Sequence, residues 1–114
     1  MLKTTTTIID GKIVTYNEGC PDDEHFFQLS GEEQAKCIKW VRENLRRVNS
    51  YTCYSSSYGL KHYLERDIHI YTTNNQFKEL MLICGYTPKR FRELNWDLNV
   101  SRNSPAFHKG LMPI

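Results

Sequence analysis

Residues 73–88 contain a full set of start and stop signals for one helix. Thr73 and Gln76 form a T-x-x-Q capping box, in which each side chain bonds the free backbone N–H of the other residue. Gly85 and Pro88 stand where a left-handed cap and a stop are expected. Between these ends runs an apolar stripe at helical spacing, formed by Phe77, Leu80, Met81 and Cys84. The sequence therefore predicts a helix from Thr73 to Gly85.

The segment before this helix predicts a shorter helix and a strand. Leu60 and Leu64 share one face after the serines 55–57, so we expect a helix from about Tyr58 to Glu65. The segment from Ile68 to Tyr71 alternates apolar and polar residues, which predicts a short strand.

The segment after it predicts a second short helix and another strand. Thr87 and Pro88 are suited to the cap and the first residue of a helix. Trp96, Leu98 and Val100 recur at every second position, so they would face one side of a strand.

The order of these elements predicts a winged-helix-like unit over 55–101. In a helix–turn–helix a glycine allows the sharp turn between two helices, and Gly85 is placed for that role. Met81 counts against this interpretation, because the motif usually has a small residue four positions before the glycine. The alternative is a capped helix followed by a basic turn on another kind of α+β domain.

The first half of the chain predicts a β-hairpin and a long helix. Two β-branched runs over 4–16 flank Asp10 and Gly11, a pair that suits a type I′ turn. Ser30 and Glu33 form a capping box at the start of a helix over 30–48. Its apolar stripe consists of Ala35, Ile38, Val41, Leu45 and Val48.

These elements predict one α+β domain over 1–114. It would contain an N-terminal β-hairpin, a long helix and a winged-helix-like C-terminal half. The tail, residues 102–114, has no periodicity and is expected to be a surface strap or partly disordered. A chain of 114 residues with 39% hydrophobic and 25% charged residues has the balance of a globular protein.

Membrane insertion and export are not expected. The longest apolar run, Leu80–Cys84, is far shorter than the roughly 20 residues that a spanning helix needs. The first residues also lack the apolar stretch of a signal peptide. We therefore expect a cytoplasmic protein with no membrane partner and reduced thiols.

The sequence lacks the motifs of common enzymes and metal sites. It has no P-loop, G-x-S-x-G, H-E-x-x-H or G-x-G-x-x-G pattern. Its four cysteines and four histidines do not match zinc-finger spacing, although Cys20 with His25, and less closely Cys53 with His62, leave a zinc site as the minor alternative. We expect no enzymatic activity, no cofactor and no metal.

The positive charges are clustered, although the net charge is only +2. One cluster lies in 36–47 and a second in 89–92. Such clusters are typical of surfaces that bind phosphate backbones, and a solvated helix face is the alternative. The candidate binding residues for DNA, RNA or another partner are Lys39, Arg42, Arg46, Lys61, Lys78, Lys89, Arg90 and Arg92.

Aromatic residues lie near many of these cations in the sequence. Single-stranded nucleic acids bind such mixtures, because bases stack on the rings while cations follow the backbone. Half-buried packing is the alternative for each ring. The aromatic residues concerned are Trp40, Tyr51, Tyr54, Tyr58 and Tyr63.

Several short motifs resemble one family of small accessory proteins from phages and integrative mobile elements of Gram-positive bacteria. The similarity covers about residues 12–108, and its motifs lie at 56–62, 71–78, Met81, 85–86, 94–96 and 104–107. The resemblance implies a mobile-element context, which includes replication factors, repressors and anti-CRISPR inhibitors. It assigns no role to any residue.

The function expected from the sequence is non-enzymatic nucleic-acid binding by an accessory protein of a mobile genetic element. The alternative is a protein-binding inhibitor of a host defence nuclease, similar to an anti-CRISPR protein, or an adaptor. Its partner would then be a host or phage-encoded protein such as a CRISPR nuclease.

Overall fold

Three helices form the body of the protein. A computed structural model describes residues 25–51, 55–91 and 93–108, together with the backbone of two strands. The helices are α1 (Gly31–Asn44), α2 (Ser57–Ile68) and α3 (Asn74–Ile83), and two single 3₁₀ turns lie at Phe26–Gln28 and Pro105–Phe107. The strands β1 (Lys3–Ile9) and β2 (Lys12–Glu18) pair antiparallel, with Ile9 opposite Lys12.

The α+β fold class predicted from the sequence is wrong. Within the described part of 25–108, the chain is a small globule of three helices with no strand. Its β pairing there is limited to two isolated bridges, Arg47 with Val100 and Pro88 with Leu98. The strand predicted at 68–71 is replaced by the last residue of α2 and by His69, which ends that helix in the left-handed conformation with φ 58°.

The predicted helix–turn–helix and winged-helix-like unit are also wrong, because the described residues of 86–101 form no second helix. The N–H of Lys89 donates to the carbonyl of Asp97 at 2.9 Å, which holds the segment extended. The Thr87 hydroxyl bonds the Tyr51 hydroxyl at 2.9 Å instead of capping a helix. Extended pairing with 97–99 has therefore taken the backbone groups that a helix would need.

The start and stop signals of α3 are confirmed. Thr73 and Gln76 make both bonds of the capping box. Gly85 adopts φ 90°, and the N–H of Tyr86 donates to the carbonyl of Met81 at 2.9 Å, which closes the helix in a Schellman-type turn. Phe77 and Leu80 of the apolar stripe are fully buried.

The long helix begins as predicted and ends four residues early. Ser30 and Glu33 form the expected capping box. After Asn44 the chain becomes extended, because the N–H of Arg46 donates to the Ser104 hydroxyl at 2.8 Å and the N–H of Val48 donates to the carbonyl of Asn99 at 3.0 Å. Arg46 therefore does not belong to α1.

The core includes the tail that was expected on the surface or disordered. Ser104, Ala106 and Phe107 are buried, so that expectation is wrong for residues 104–107, while 109–114 lie outside the described residues. The Arg66 guanidinium holds this segment by donating to the carbonyl of Ala106 at 3.0 Å. The other core side chains are Phe26, Cys37, Trp40, Val41, Leu45, Leu60, Leu64, Ile70, Phe77, Leu80, Met81, Tyr86, Trp96, Leu98 and Val100.

Candidate nucleic-acid interface

Three arginines follow one another along the end of α1 and the segment after it. Arg42 lies on the last turn of the helix and is exposed. Arg46 is exposed, and its guanidinium donates to the carbonyls of Leu45 and Glu43 at 3.3 and 3.4 Å. The Arg47 guanidinium donates to the carbonyl of Gly85 at 3.2 Å. The segment after α1 is thus held against the end of α3.

The same three arginines act electrostatically on residues 84–86. Burial raises the pKa of the Cys84 thiol to about 11, and the positive charge of Arg42 opposes that rise. Burial also raises the pKa of Tyr86, a shift that the Cys84 thiol increases and that Arg46 and Arg47 reduce. The carboxyl end of a helix has a partial negative charge, so cations are favoured there even without a partner carboxylate.

The basic turn after Gly85 adjoins these arginines through the segment 97–100. Asn99 accepts the N–H of Val48 on its carbonyl, and the neighbouring Asp97 carbonyl accepts the N–H of Lys89. Lys89 is exposed, and Arg90 lies 3.9 Å from a carboxylate oxygen of Glu93. Arg92 lies outside the described residues. The two clusters of the sequence are therefore joined by one extended segment.

We name this surface the basic face and define it as Arg42, Arg46, Arg47 and Lys89. In the described residues, none of the four has a carboxylate oxygen within 4.0 Å of a charged nitrogen. Arg46 and Arg47 bond carbonyl oxygens only, so each keeps its full charge and further N–H donors. Arg47 lies in the charge cluster at 36–47 but was not among the candidate binding residues predicted from the sequence, although it directly follows Arg46.

Lys39 lies one turn before Arg42 on the surface of α1. The two side chains border a shallow, mainly apolar area with Ala35, Ile38 and Glu43. Lys39 also lines a groove of ≈ 330 Å³ between α1 and the end of α2, where Trp40 donates to Asp67 at 2.9 Å. The structure thus places Lys39 at the border of the basic face.

The other two candidate lysines are buried. Lys78 is 0% exposed, donates to the carbonyl of Glu93 at 3.0 Å and lies 4.9 Å from the centre of the Trp96 ring. Lys61 is 8% exposed and donates to the carbonyl of Thr72 at 3.1 Å. Both ammonium groups are used inside the protein, and neither belongs to the basic face.

A buried carboxylate forms a second polar cluster that the sequence did not predict. Glu79 accepts from the Phe26 N–H at 3.0 Å and lies 2.7 Å from Nδ1 of His25. In the described ranges, no three His, Cys, Asp or Glu side chains lie together as a metal site would require. Cys20 and Cys53, the cysteines of the zinc alternatives, lie outside those ranges.

Comparisons with known proteins identify no relative. No family model matches the chain, and no curated protein or solved structure matches it. Among the described helices, none has both the length and the apolar composition that crossing a bilayer requires.

Proposed function

We propose that this protein is a non-enzymatic nucleic-acid-binding accessory protein that acts in the cytoplasm and holds a phosphate backbone on the basic face. The observation that supports the proposal is the gathering of Arg42, Arg46 and Arg47 around residues 84–86 without carboxylate partners in the described residues. As in the sequence-based expectation, a mobile genetic element is its proposed origin.

The chemistry of the basic face suits phosphate. A guanidinium offers N–H groups in a planar fork that can donate two parallel bonds to phosphate oxygens. The backbone carbonyls already bonded to Arg46 and Arg47 position their guanidinium groups without neutralising them. Such a surface binds the backbone through charge, and its affinity depends strongly on salt.

Charge reversal of two exposed cations tests the proposal. Arg42→Glu with Lys89→Glu changes side chains for which no hydrogen bond is described, so the fold should persist. We expect at least a tenfold loss of affinity for labelled DNA or RNA in fluorescence anisotropy, with a log–log salt slope smaller by about two. Measurements at two salt concentrations supply that slope.

Lys36→Glu, a single charge reversal on the same helix as Arg42, is the control. Lys36 is also exposed on α1, but it is paired with Glu32 at 3.1 Å and lies outside the basic face. Its reversal should leave the affinity within about twofold. The proposal fails if the unaltered protein binds no nucleic acid at micromolar concentration, or if the control loses as much affinity as the double variant.

A protein partner is the second candidate. Phe91 and Leu94 are exposed next to Arg90, and large exposed apolar side chains beside arginine are typical of protein interfaces. An anti-CRISPR-like inhibitor or an adaptor would use this surface on a nuclease. Inhibition of a CRISPR nuclease by a protein that binds no nucleic acid would favour this candidate.

A further inference from the structure

Tyr58 and Tyr71 are two large aromatic rings that the fold leaves exposed. Tyr58 lies in the first turn of α2 and is 52% exposed, and Tyr71 lies in the segment leading to α3 and is 63% exposed. Burial of an aromatic ring is favourable, so exposed rings on one surface suggest a binding site.

Lys61 holds the two rings together. Its Nζ lies 5.6 Å from the centre of the Tyr58 ring and 4.8 Å from the centre of the Tyr71 ring. The separation of the two ring centres therefore cannot exceed the sum of these distances. The bond from Nζ to the carbonyl of Thr72 fixes the ammonium group, and the cation–π contacts then fix the rings.

His62 adds a second constraint on this pair. Its ring meets the Tyr58 ring edge-on, with centres 4.7 Å apart and an interplanar angle of 76°. The tyrosines therefore have defined positions while most of their surface faces solvent. Such preorganisation lowers the entropy lost when a flat ligand stacks on them.

Tyr63 is arranged in the opposite way, although its place near Lys61 in the sequence predicted the same role as that of Tyr58. Its ring packs edge-on against Phe107, and the Arg66 guanidinium lies 4.8 Å from its centre. Tyr63 is therefore part of the packing between α2 and the segment 105–107. The structure leaves Tyr58 and Tyr71, and not Tyr63, available for a ligand.

We infer that Tyr58 and Tyr71 form a stacking site for unpaired nucleobases, and that the nucleic acid bound by this protein is single-stranded. This inference rests on the proposed function and specifies its ligand. Base faces in a duplex are covered by their neighbours, whereas those of a single strand can stack on tyrosine. Lys61 holds the rings from inside the protein, and the basic face supplies the charge for the phosphates.

The stacking site and the basic face lie at opposite ends of α3. Tyr71 precedes the amino end of this helix, and Gly85 and the arginines surround its carboxyl end. A helix of ten residues is about 15 Å long. Segment 93–96 covers α3 between these ends, since the carbonyl of Leu94 accepts from the Asn74 side chain at the amino end and the carbonyl of Glu93 accepts from Lys78 further along. Because α3 is itself buried from Asn74 to Met81, a strand that contacts both sites would cross the segments that cover this helix.

Three ligands separate stacking from charge. They are a labelled oligothymidylate, an abasic strand of the same length with the same phosphates, and a duplex. Tyr58→Ala with Tyr71→Ala should weaken binding of the oligothymidylate at least tenfold, since stacking contributes strongly for each base. The double variant should bind the abasic strand and the duplex as tightly as the unaltered protein does, with the same salt slope, because its basic face is intact.

Two further variants keep the result interpretable. Phe27→Ala removes another ring of similar exposure, which stacks on His25, and should leave all affinities unchanged. Tyr71→Ala alone changes a residue outside every helix and should show part of the loss even if the double variant does not fold.

The possible failures are distinguishable. If the tyrosine variants bind the oligothymidylate as the unaltered protein does, or lose equal affinity for all three ligands, the stacking site is refuted. The proposed function survives that result if Arg42→Glu with Lys89→Glu still weakens binding. If the unaltered protein binds none of the three ligands and no RNA strand of the same length, both the proposed function and the stacking site are refuted.

Discussion

Helices α1 and α3 use their charged residues in opposite ways. On α1, Lys39 and Arg42 are exposed and face solvent. On α3, Lys78 and Glu79 are adjacent and at most 1% exposed. Lysine and glutamate are almost never fully buried unless they are paired. The comparison shows that a charge on a helix either faces solvent or stabilises the fold, depending on what covers that face of the helix.

The reason lies in how much of each helix is covered. α1 packs one face against the core and leaves the other in water, whereas α3 is buried at every position from Asn74 to Met81. The segment 25–28 covers the Glu79 side of α3, and the segment 93–96 covers the Lys78 side. Backbone groups of both segments bond the charged side chains, so the α3 charges stabilise the fold.

Replacement of the buried carboxylate should have the largest effect. Glu79→Ala leaves the Phe26 N–H and the His25 ring without their acceptor, so we expect a loss of about 3 kcal/mol in the free energy of unfolding. Glu43→Ala on the exposed side of α1 should change it by less than about 0.5 kcal/mol. Urea denaturation measures both, and equal losses would refute the comparison.

The buried lysine gives the next largest effect. Lys78→Met keeps most of the side-chain volume and leaves the carbonyl of Glu93 without its charged donor, which should cost about 2 kcal/mol. Lys39→Met, its counterpart on α1, should cost less than about 0.5 kcal/mol. If Lys78→Met were neutral, the ammonium group would not be what holds the segment 93–96 on α3.

Replacing the glycine after α3 should destabilise the protein more than replacing the glycine that begins α1. Gly85 has φ 90°, so Gly85→Ala should cost about 1–2 kcal/mol through backbone strain. Gly31→Ala should be neutral or slightly stabilising, because a Cβ there would meet nothing within 4 Å. Thermal unfolding of the two variants tests this order, and a reversed order would contradict it.

The thiols should produce the smallest effect, and here α1 and α3 should behave alike. Burial raises the pKa of both Cys37 and Cys84 from 9.0 to about 11. The unfolded chain therefore loses these protons first as the pH rises above 9. The stabilisation that depends on the two protonated thiols is therefore fully present below pH 9 and is lost as the pH rises toward 11. The loss in the free energy of unfolding is about 1 kcal/mol per thiol between pH 8 and 10.

A variant without one thiol isolates this effect from other titrating groups. Between pH 8 and 10, Cys84→Ala should lose about 1 kcal/mol less stability than the unaltered protein. Denaturation in the presence of reductant at both pH values gives the difference. Identical losses would show that Cys84 ionises equally easily in the folded and unfolded chains.

Local signals predicted the starts of α1 and α3 and the end of α3. Each is fixed by side chains and N–H groups within a few residues, as in the capping boxes at Ser30 and Thr73. Trp96, Leu98 and Val100, whose alternation predicted one side of a strand, are all buried. The alternation did not predict their partners, and the expected strand is only a pair of isolated bridges.

The sequence by itself determined where α1, α2 and α3 begin and how strongly the cations cluster, whereas Ala35 of the apolar stripe predicted for α1 is exposed and Ile38 and Val48 are only half-buried. Only the tertiary structure decided that Lys61 and Lys78 are buried, that residues after Gly85 are extended and that 104–107 join the core. The physical reason is the separation along the chain between the residues that make each contact. A cap is closed by a residue three positions away, whereas Ser104 bonds Arg46 across 58 positions. Periodicity describes one segment and cannot show which distant segment will cover it.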